Sequence, residues 1–136
     1  MKIYLNIGTN IGDRHENIKR AVSAIEHTLQ CKAVICDVIT TMPWGYKSDN
    51  FFCNQGIMIE KEIEPLALLD TLQRIEKELG SAAHRDADGN YMDRLIDIDI
   101  MDIDGVKMKS ERLTLPHPHL YERPFFLMPY LVLKGF

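Results

Sequence analysis

Long apolar runs are missing from this 136-residue chain: no window of about 18 uninterrupted apolar residues occurs, so no membrane-spanning helix is expected. The opening MKIYLNIGTN lacks the charged head, apolar run and small-residue cleavage site of a secretory leader, and the chain reads as a soluble, cytoplasmic protein with no membrane partner. Cysteine is scarce. Cys31, Cys36 and Cys53 are odd in number and form no Cys-x-x-Cys pair, which argues against a disulfide framework and for reduced structural thiols. Basic charge is short as well: 16 Lys and Arg against 20 Asp and Glu leave a net charge of −4, without the basic stripe that nucleic-acid binding needs. Neither GxxxxGK[ST] nor GxGxxG is present, so a nucleotide would have to be held by metal and side chains, with no glycine cradle.

What the chain does have is 46% hydrophobic residues, ample for one packed core, and residues 1–136 are expected to form a single domain. KIYLNI (2–7) reads as a strand and GTNIGD (8–13) as a turn. Ile18, Ala21, Val22, Ile25 and Leu29 recur at helical spacing between Glu16 and Leu29. Residues 33–41 and 51–62 read as strands, separated by the loop MPWGYKSDN. Pro65 opens a second helix with Leu66, Leu69, Leu72, Ile75 and Leu79 along one side, and Gly80 closes it. After the polar loop SAAHRDADGNYM comes a strand, DRLIDIDIMDID, and Asp104-Gly105 then predicts a hairpin whose return, VKMKSERLTL, pairs with it. The proline-containing remainder predicts a loop leading into a short packed segment. The order βαββαβ is that of a ferredoxin-like α+β sandwich, with helices packed on an antiparallel sheet, and by itself such a fold implies no function.

The chemistry concentrates in the strand after the polar loop. Side chains alternate along a strand, so Leu95, Asp97, Asp99 and Met101 are expected on one face and Arg94, Ile96, Ile98 and Ile100 on the other. With Cα atoms about 6.5 Å apart, Asp97 and Asp99 can converge on hard cations of the kind that bind phosphate oxygens. The plainer alternative is a solvent-facing strand whose aspartates make surface ion pairs. Asp102 has the opposite parity and Asp104 precedes the turn glycine, so both read as structural. His84, Arg85, Arg94, Arg112, His117 and Arg123 form a local basic set in an acidic protein, and Gln73 and Glu76 lie three apart near the end of the second helix.

HRDADGNYMDRLIDIDI followed by LTLPHPHLYERPFFLMP resembles the 6-hydroxymethyl-7,8-dihydropterin pyrophosphokinases of folate biosynthesis, whose signature is an arginine shortly before D-x-D-I, then P-H and R-x-F. GTNIGD looks like that family's opening motif, TMPWG and FCNQG look like its pterin-side segments, and the likeness spans essentially the whole chain. The resemblance implies transfer of an intact pyrophosphoryl group from ATP to the pterin hydroxymethyl oxygen, with two Mg²⁺ ions on Asp97 and Asp99. It places Arg94 and Arg123 near the phosphates, with Arg85 and His84 in the loop before them. Gln73, Glu76, Ile100, Arg112, Thr114 and His117 fall on the ATP side, and Tyr91 replaces the loop tryptophan common in the family. On the pterin side it places Phe52 and Phe125 against the ring, Asn54 on its amide edge, and Thr41, Pro43 and Gly45 around the pocket. Ser81 departs from the arginine that many relatives carry there, which lowers the basicity of the loop.

Two other readings stay open on residues alone. A different two-metal enzyme, such as a nuclease or nucleotidyl transferase, could use the same aspartates, but it would not need the aromatic and Asn54 pocket. A non-catalytic ligand-binding module would tolerate loss of Asp97 and Asp99 without losing its ligand. Oligomeric state is not legible, and a monomer is admissible.

Overall fold

A computed structural model describes residues 1–41, 51–80 and 95–136. Strand β1 (Lys2–Thr9) is followed by helix α1 (Arg14–Leu29), strands β2 (Val34–Ile35), β3 (Ile39–Thr41) and β4 (Phe52–Glu60), and helix α2 (Pro65–Glu78). Strand β5 (Asp97–Ile103), the short strands β6 (Met108–Lys109) and β7 (Thr114–Leu115), and helix α3 (Pro124–Lys134) complete the chain. Both early helices begin where a carboxylate can take up orphan amides. Asp13 accepts from the Glu16 N–H at 3.1 Å, and Glu64 accepts from the Leu66 and Ala67 N–H groups at 3.1 Å with Pro65 in the first turn.

The sheet runs β2-β4-β1-β5 with β3 also beside β4, and the pairings are antiparallel. Its inner face carries Ile3, Leu5 and Ile7 of β1, Ile57 and Ile59 of β4, and Ile98, Ile100 and Ile103 of β5. These close over Ile18, Ala21 and Ile25 of α1 and Leu68, Leu72 and Ile75 of α2. The opposite face holds a smaller cluster, Tyr4, Met101, Leu120, Phe126 and Tyr130, under α3. The expected α+β antiparallel architecture is therefore present, with a third helix on the second face.

Three local expectations are corrected, and the expected packed C-terminal segment is made specific. The strand expected over 33–41 is two pieces, because one extra residue intervenes between the Ile35↔Ile57 and Ile39↔Asn54 pairs; Gln55 Nε2 donates to the Cys36 carbonyl in the gap, at 2.7 Å. The segment after Gly105 (φ +78) does not pair with β5, and β6 and β7 pair with each other. The outer edge of β5 is satisfied otherwise: Glu76 Oε2 accepts from the Ile98 N–H at 2.7 Å, and the Met101 carbonyl accepts from the His117 N–H at 2.8 Å. The C-terminal segment is a helix of 11 residues. Finally, a register shift between the Tyr4↔Asp102 and Leu5↔Ile100 pairs makes Met101 the extra residue of a bulge. Asp102 is thereby turned to the α3 side, where it accepts from Tyr130 Oη at 2.6 Å. Its structural role stands; its expected parity does not. Burial, with Asp102 beside it, raises the pKa of the Tyr130 phenol and keeps it a donor.

Candidate active site

The register brings the site together in rows across the α3 side of the sheet. Asn54, Gly8 and Asp97 stand side by side on β4, β1 and β5, and Gly56, Asn6 and Asp99 form the next row. Gly8 keeps its row open, since a Cβ there would lie 2.9 Å from Asn54 Oδ1 and 3.7 Å from the Phe52 ring. Asp97 and Asp99 are partly exposed while Ile98 and Ile100 between and after them are buried, as alternation requires.

A cleft of about 500 Å³ opens beside Asp97 and Asp99. Helix α2 contributes Gln73 and Glu76, β5 contributes Ile100, and the β6–β7 hairpin contributes Arg112 and Thr114. His117 and Arg123 line it from the segment leading to α3. The described ATP-side residues expected from the sequence thus converge on one space. Leu69, Ser110, Glu111, Leu113, Pro118 and His119 also line it and were not foreseen. Arg112 ion-pairs with Asp70 and reaches Gln73 Oε1 at 3.4 Å, so its guanidinium ties the hairpin to α2. Glu76 has a second task that its spacing did not reveal, since its buried carboxylate holds the edge of β5.

His117 is held neutral. Its Nδ1 accepts from the His119 N–H at 3.0 Å, which leaves the proton on Nε2. Desolvation, then the charge of Arg123 and of His119, lowers its pKa from 6.5 to about 4, against an opposing pull from Asp97. The imidazole is therefore a fixed donor at neutral pH.

Across the same face, Asn54 is buried and its Nδ2 donates to Thr41 Oγ1 at 3.3 Å. Phe52 precedes it by one alternation. Phe125, in the first turn of α3, packs edge-on against Phe126 with ring centroids 5.1 Å apart. The Arg123 guanidinium lies 5.9 Å from the Phe125 ring centroid and 5.0 Å from that of Phe126, linking the aromatic side to the cleft. Pro43, Gly45, His84, Arg85, Tyr91 and Arg94 lie outside the described residues. Among the described residues no group of three His, Cys, Asp or Glu forms a ready metal cage, and no helix is long and apolar enough to cross a membrane.

An antiparallel α+β sheet with an acid pair beside a cleft lined by Arg112, His117 and Arg123 has the chemistry to hold a ligand that carries phosphate groups. The sequence profile of the 7,8-dihydro-6-hydroxymethylpterin-pyrophosphokinase family matches residues 4–135. A 2-amino-4-hydroxy-6-hydroxymethyldihydropteridine pyrophosphokinase of Porphyromonas gingivalis is 36% identical over 129 residues, covering 93% of this chain and 86% of that protein. The Bacillus subtilis protein of the same name is 33% identical over 127 residues, covering 93% and 74%. The mitochondrial folate synthesis bifunctional protein of Pisum sativum is 31% identical over 135 residues, which is 98% of this chain and 25% of that longer protein. The chain belongs to the 7,8-dihydro-6-hydroxymethylpterin-pyrophosphokinase family, and it is an enzyme, a transferase of the diphosphokinase type.

Proposed function

We propose that this chain transfers the diphosphoryl group of ATP intact to the hydroxymethyl oxygen of 6-hydroxymethyl-7,8-dihydropterin, releasing AMP, as a step of folate biosynthesis. The supporting observation is the acid pair, Asp97 and Asp99, opening on a cleft that Arg112, His117 and Arg123 also line. In the transfer a bond forms from the acceptor oxygen to the β-phosphorus while the bond from that phosphorus to the α–β bridging oxygen breaks. AMP departs with the bridging oxygen and the hydroxyl proton passes to solvent. Such a reaction needs positioning and charge stabilisation more than covalent help from the protein.

Among the described residues Asp97 and Asp99 belong to no group of three possible ligands, and such a pair suits Mg²⁺, which keeps waters and takes substrate phosphate oxygens for its remaining positions. Asp97 and Asp99 would hold the ions, two in number by family resemblance. Bound there, magnesium would neutralise phosphate charge and polarise the transferred group. The chain's own residues do the rest. His117 offers Nε2–H to a phosphate oxygen without changing protonation, and Arg112 and Arg123 supply permanent charge. Gln73, Thr114 and Ile100 shape the nucleotide side, joined by Arg94, Arg85, His84 and Tyr91. Phe52 and Phe125 stack on the pterin, Asn54 reads its amide edge, and Thr41, Pro43 and Gly45 enclose it.

Calorimetric titration of ATP with and without Mg²⁺ tests the assignment. The wild-type chain is expected to bind ATP far more tightly with the metal, and Asp97→Ala and Asp99→Ala should lose that increment while retaining pterin affinity. A magnesium-dependent gain that survives in both variants overturns the metal assignment.

A further inference from the structure

Helix α3 has a proline in its interior, Pro129. Proline carries no backbone N–H, so the carbonyl four residues earlier, that of Phe125, loses its helical partner. Asn6 provides a replacement. Its Nδ2 donates to the Phe125 carbonyl at 2.8 Å, across 119 residues of sequence. The asparagine is only 1% exposed, in the middle of the row between Gly56 and Asp99. Gly56 completes the arrangement, because a Cβ on it would stand 2.4 Å from the Pro129 Cβ. The proline thus rests on bare β4 backbone, while a side chain from β1 makes the hydrogen bond that the proline removes.

We propose that Asn6 is a positioning residue for Phe125, setting the first turn of α3 so that the ring is presented to the acceptor substrate. The inference rests on the reading of Phe125 as a pterin contact. An apolar residue of similar volume would fill the space but leave the Phe125 carbonyl without its donor, freeing the turn to shift or to recruit water. Asn6 is also the cross-strand neighbour of Asp99, so its side chain ties the helix that carries the ring to β1, the strand that pairs with the one carrying the acids.

Steady-state kinetics with separate pterin and ATP titrations on Asn6→Ala, Asn6→Ala/Pro129→Ala and Phe125→Ala test the proposal. Asn6→Ala is expected to raise the pterin KM and Kd about tenfold, the equivalent of ~1.4 kcal/mol, with kcat falling far less and ATP affinity holding within about twofold. In the double variant the alanine at 129 returns an amide N–H to the Phe125 carbonyl, and pterin affinity should recover to within about threefold of wild type. A merely structural asparagine gives the opposite pattern: removing the packed proline as well makes the protein worse. Asn6→Ser, whose hydroxyl is too short to reach the carbonyl, gives the same single-variant readout should the alanine form fail to fold. Unchanged pterin affinity in the single variant, equal losses for pterin and ATP, or a double variant no better than the single overturns the role of Asn6. Phe125→Ala separates the two layers. Unchanged pterin affinity there overturns the acceptor-site reading itself, whereas a loss there without one in the Asn6 variants overturns only the positioning role.

Discussion

The two faces of the sheet are built from the same strands and by opposite rules. Toward α1 and α2, β1, β4 and β5 present isoleucine and leucine almost without interruption, all deeply buried. Toward α3 the same strands present Tyr4, Asn6, Gly8, Asn54, Gly56, Asp97 and Asp99, with packing confined to one end. The inward side chains add burial energy, and the outward ones, apart from Met58 and Met101 under α3, are polar, small or aromatic where a ligand or a helix must approach. The difference teaches that stability and chemistry can share a strand because alternation separates them by a single residue. It also explains why α3 covers only part of its face: Pro129 on Gly56 fixes the helix over one row and leaves the Asn54–Gly8–Asp97 row uncovered by that contact.

The comparison breaks most visibly if Asp97→Ala and Asp99→Ala keep their turnover. Each is expected to lose roughly 10²–10³-fold in kcat, as when a group acting on developing charge is removed. Thermal melting should be unchanged or raised without metal, because one of two neighbouring carboxylates is gone. The inner face should answer in the reverse way. Ile59→Ala is expected to cost about 2–5 kcal/mol of stability in denaturant melts, with kcat per folded molecule preserved.

How much of this was legible in the sequence follows from the same alternation. Asp97 and Asp99 could be placed on one face opposite Ile98 and Ile100 because a strand's period needs no partner to be read. Asp102 could not, since the bulge at Met101 is created by the register with β1. Helix α3 was hidden because PFFLMPYLVLK has almost no polar side to give a period and carries one proline at its start and another in its interior. Asn6 sits inside KIYLNI as an ordinary strand residue, and its partner is set by a long-range crossing. Glu76 was foreseen beside the cleft, but its bond to the Ile98 N–H depends on how α2 lies against β5. The basic loop residues His84, Arg85 and Arg94 remain expectations from family resemblance.

A finer test distinguishes the two ends of the outer face. Phe125→Ala should weaken pterin binding by about 1–3 kcal/mol through lost stacking and burial, with ATP affinity preserved in separate titrations. Equal damage to both would merge the aromatic end with the cleft. The smallest expected effect concerns His117. Because its pKa falls from 6.5 in the ordinary state to about 4 in the fold, the unfolded chain binds more protons between those values. Its contribution to stability is therefore complete above pH 6.5 and is lost as pH falls toward about 4. Denaturant melts of the metal-free protein across that range should show the decline, and His117→Gln should flatten it.

The most direct measurement is the nucleotide product formed when the chain is incubated with ATP, Mg²⁺ and 6-hydroxymethyl-7,8-dihydropterin. The account predicts AMP in equal amount to pterin diphosphate, with neither formed when the acceptor is omitted. Formation of ADP with a pterin monophosphate, or no acceptor-dependent nucleotide turnover at all, would contradict it.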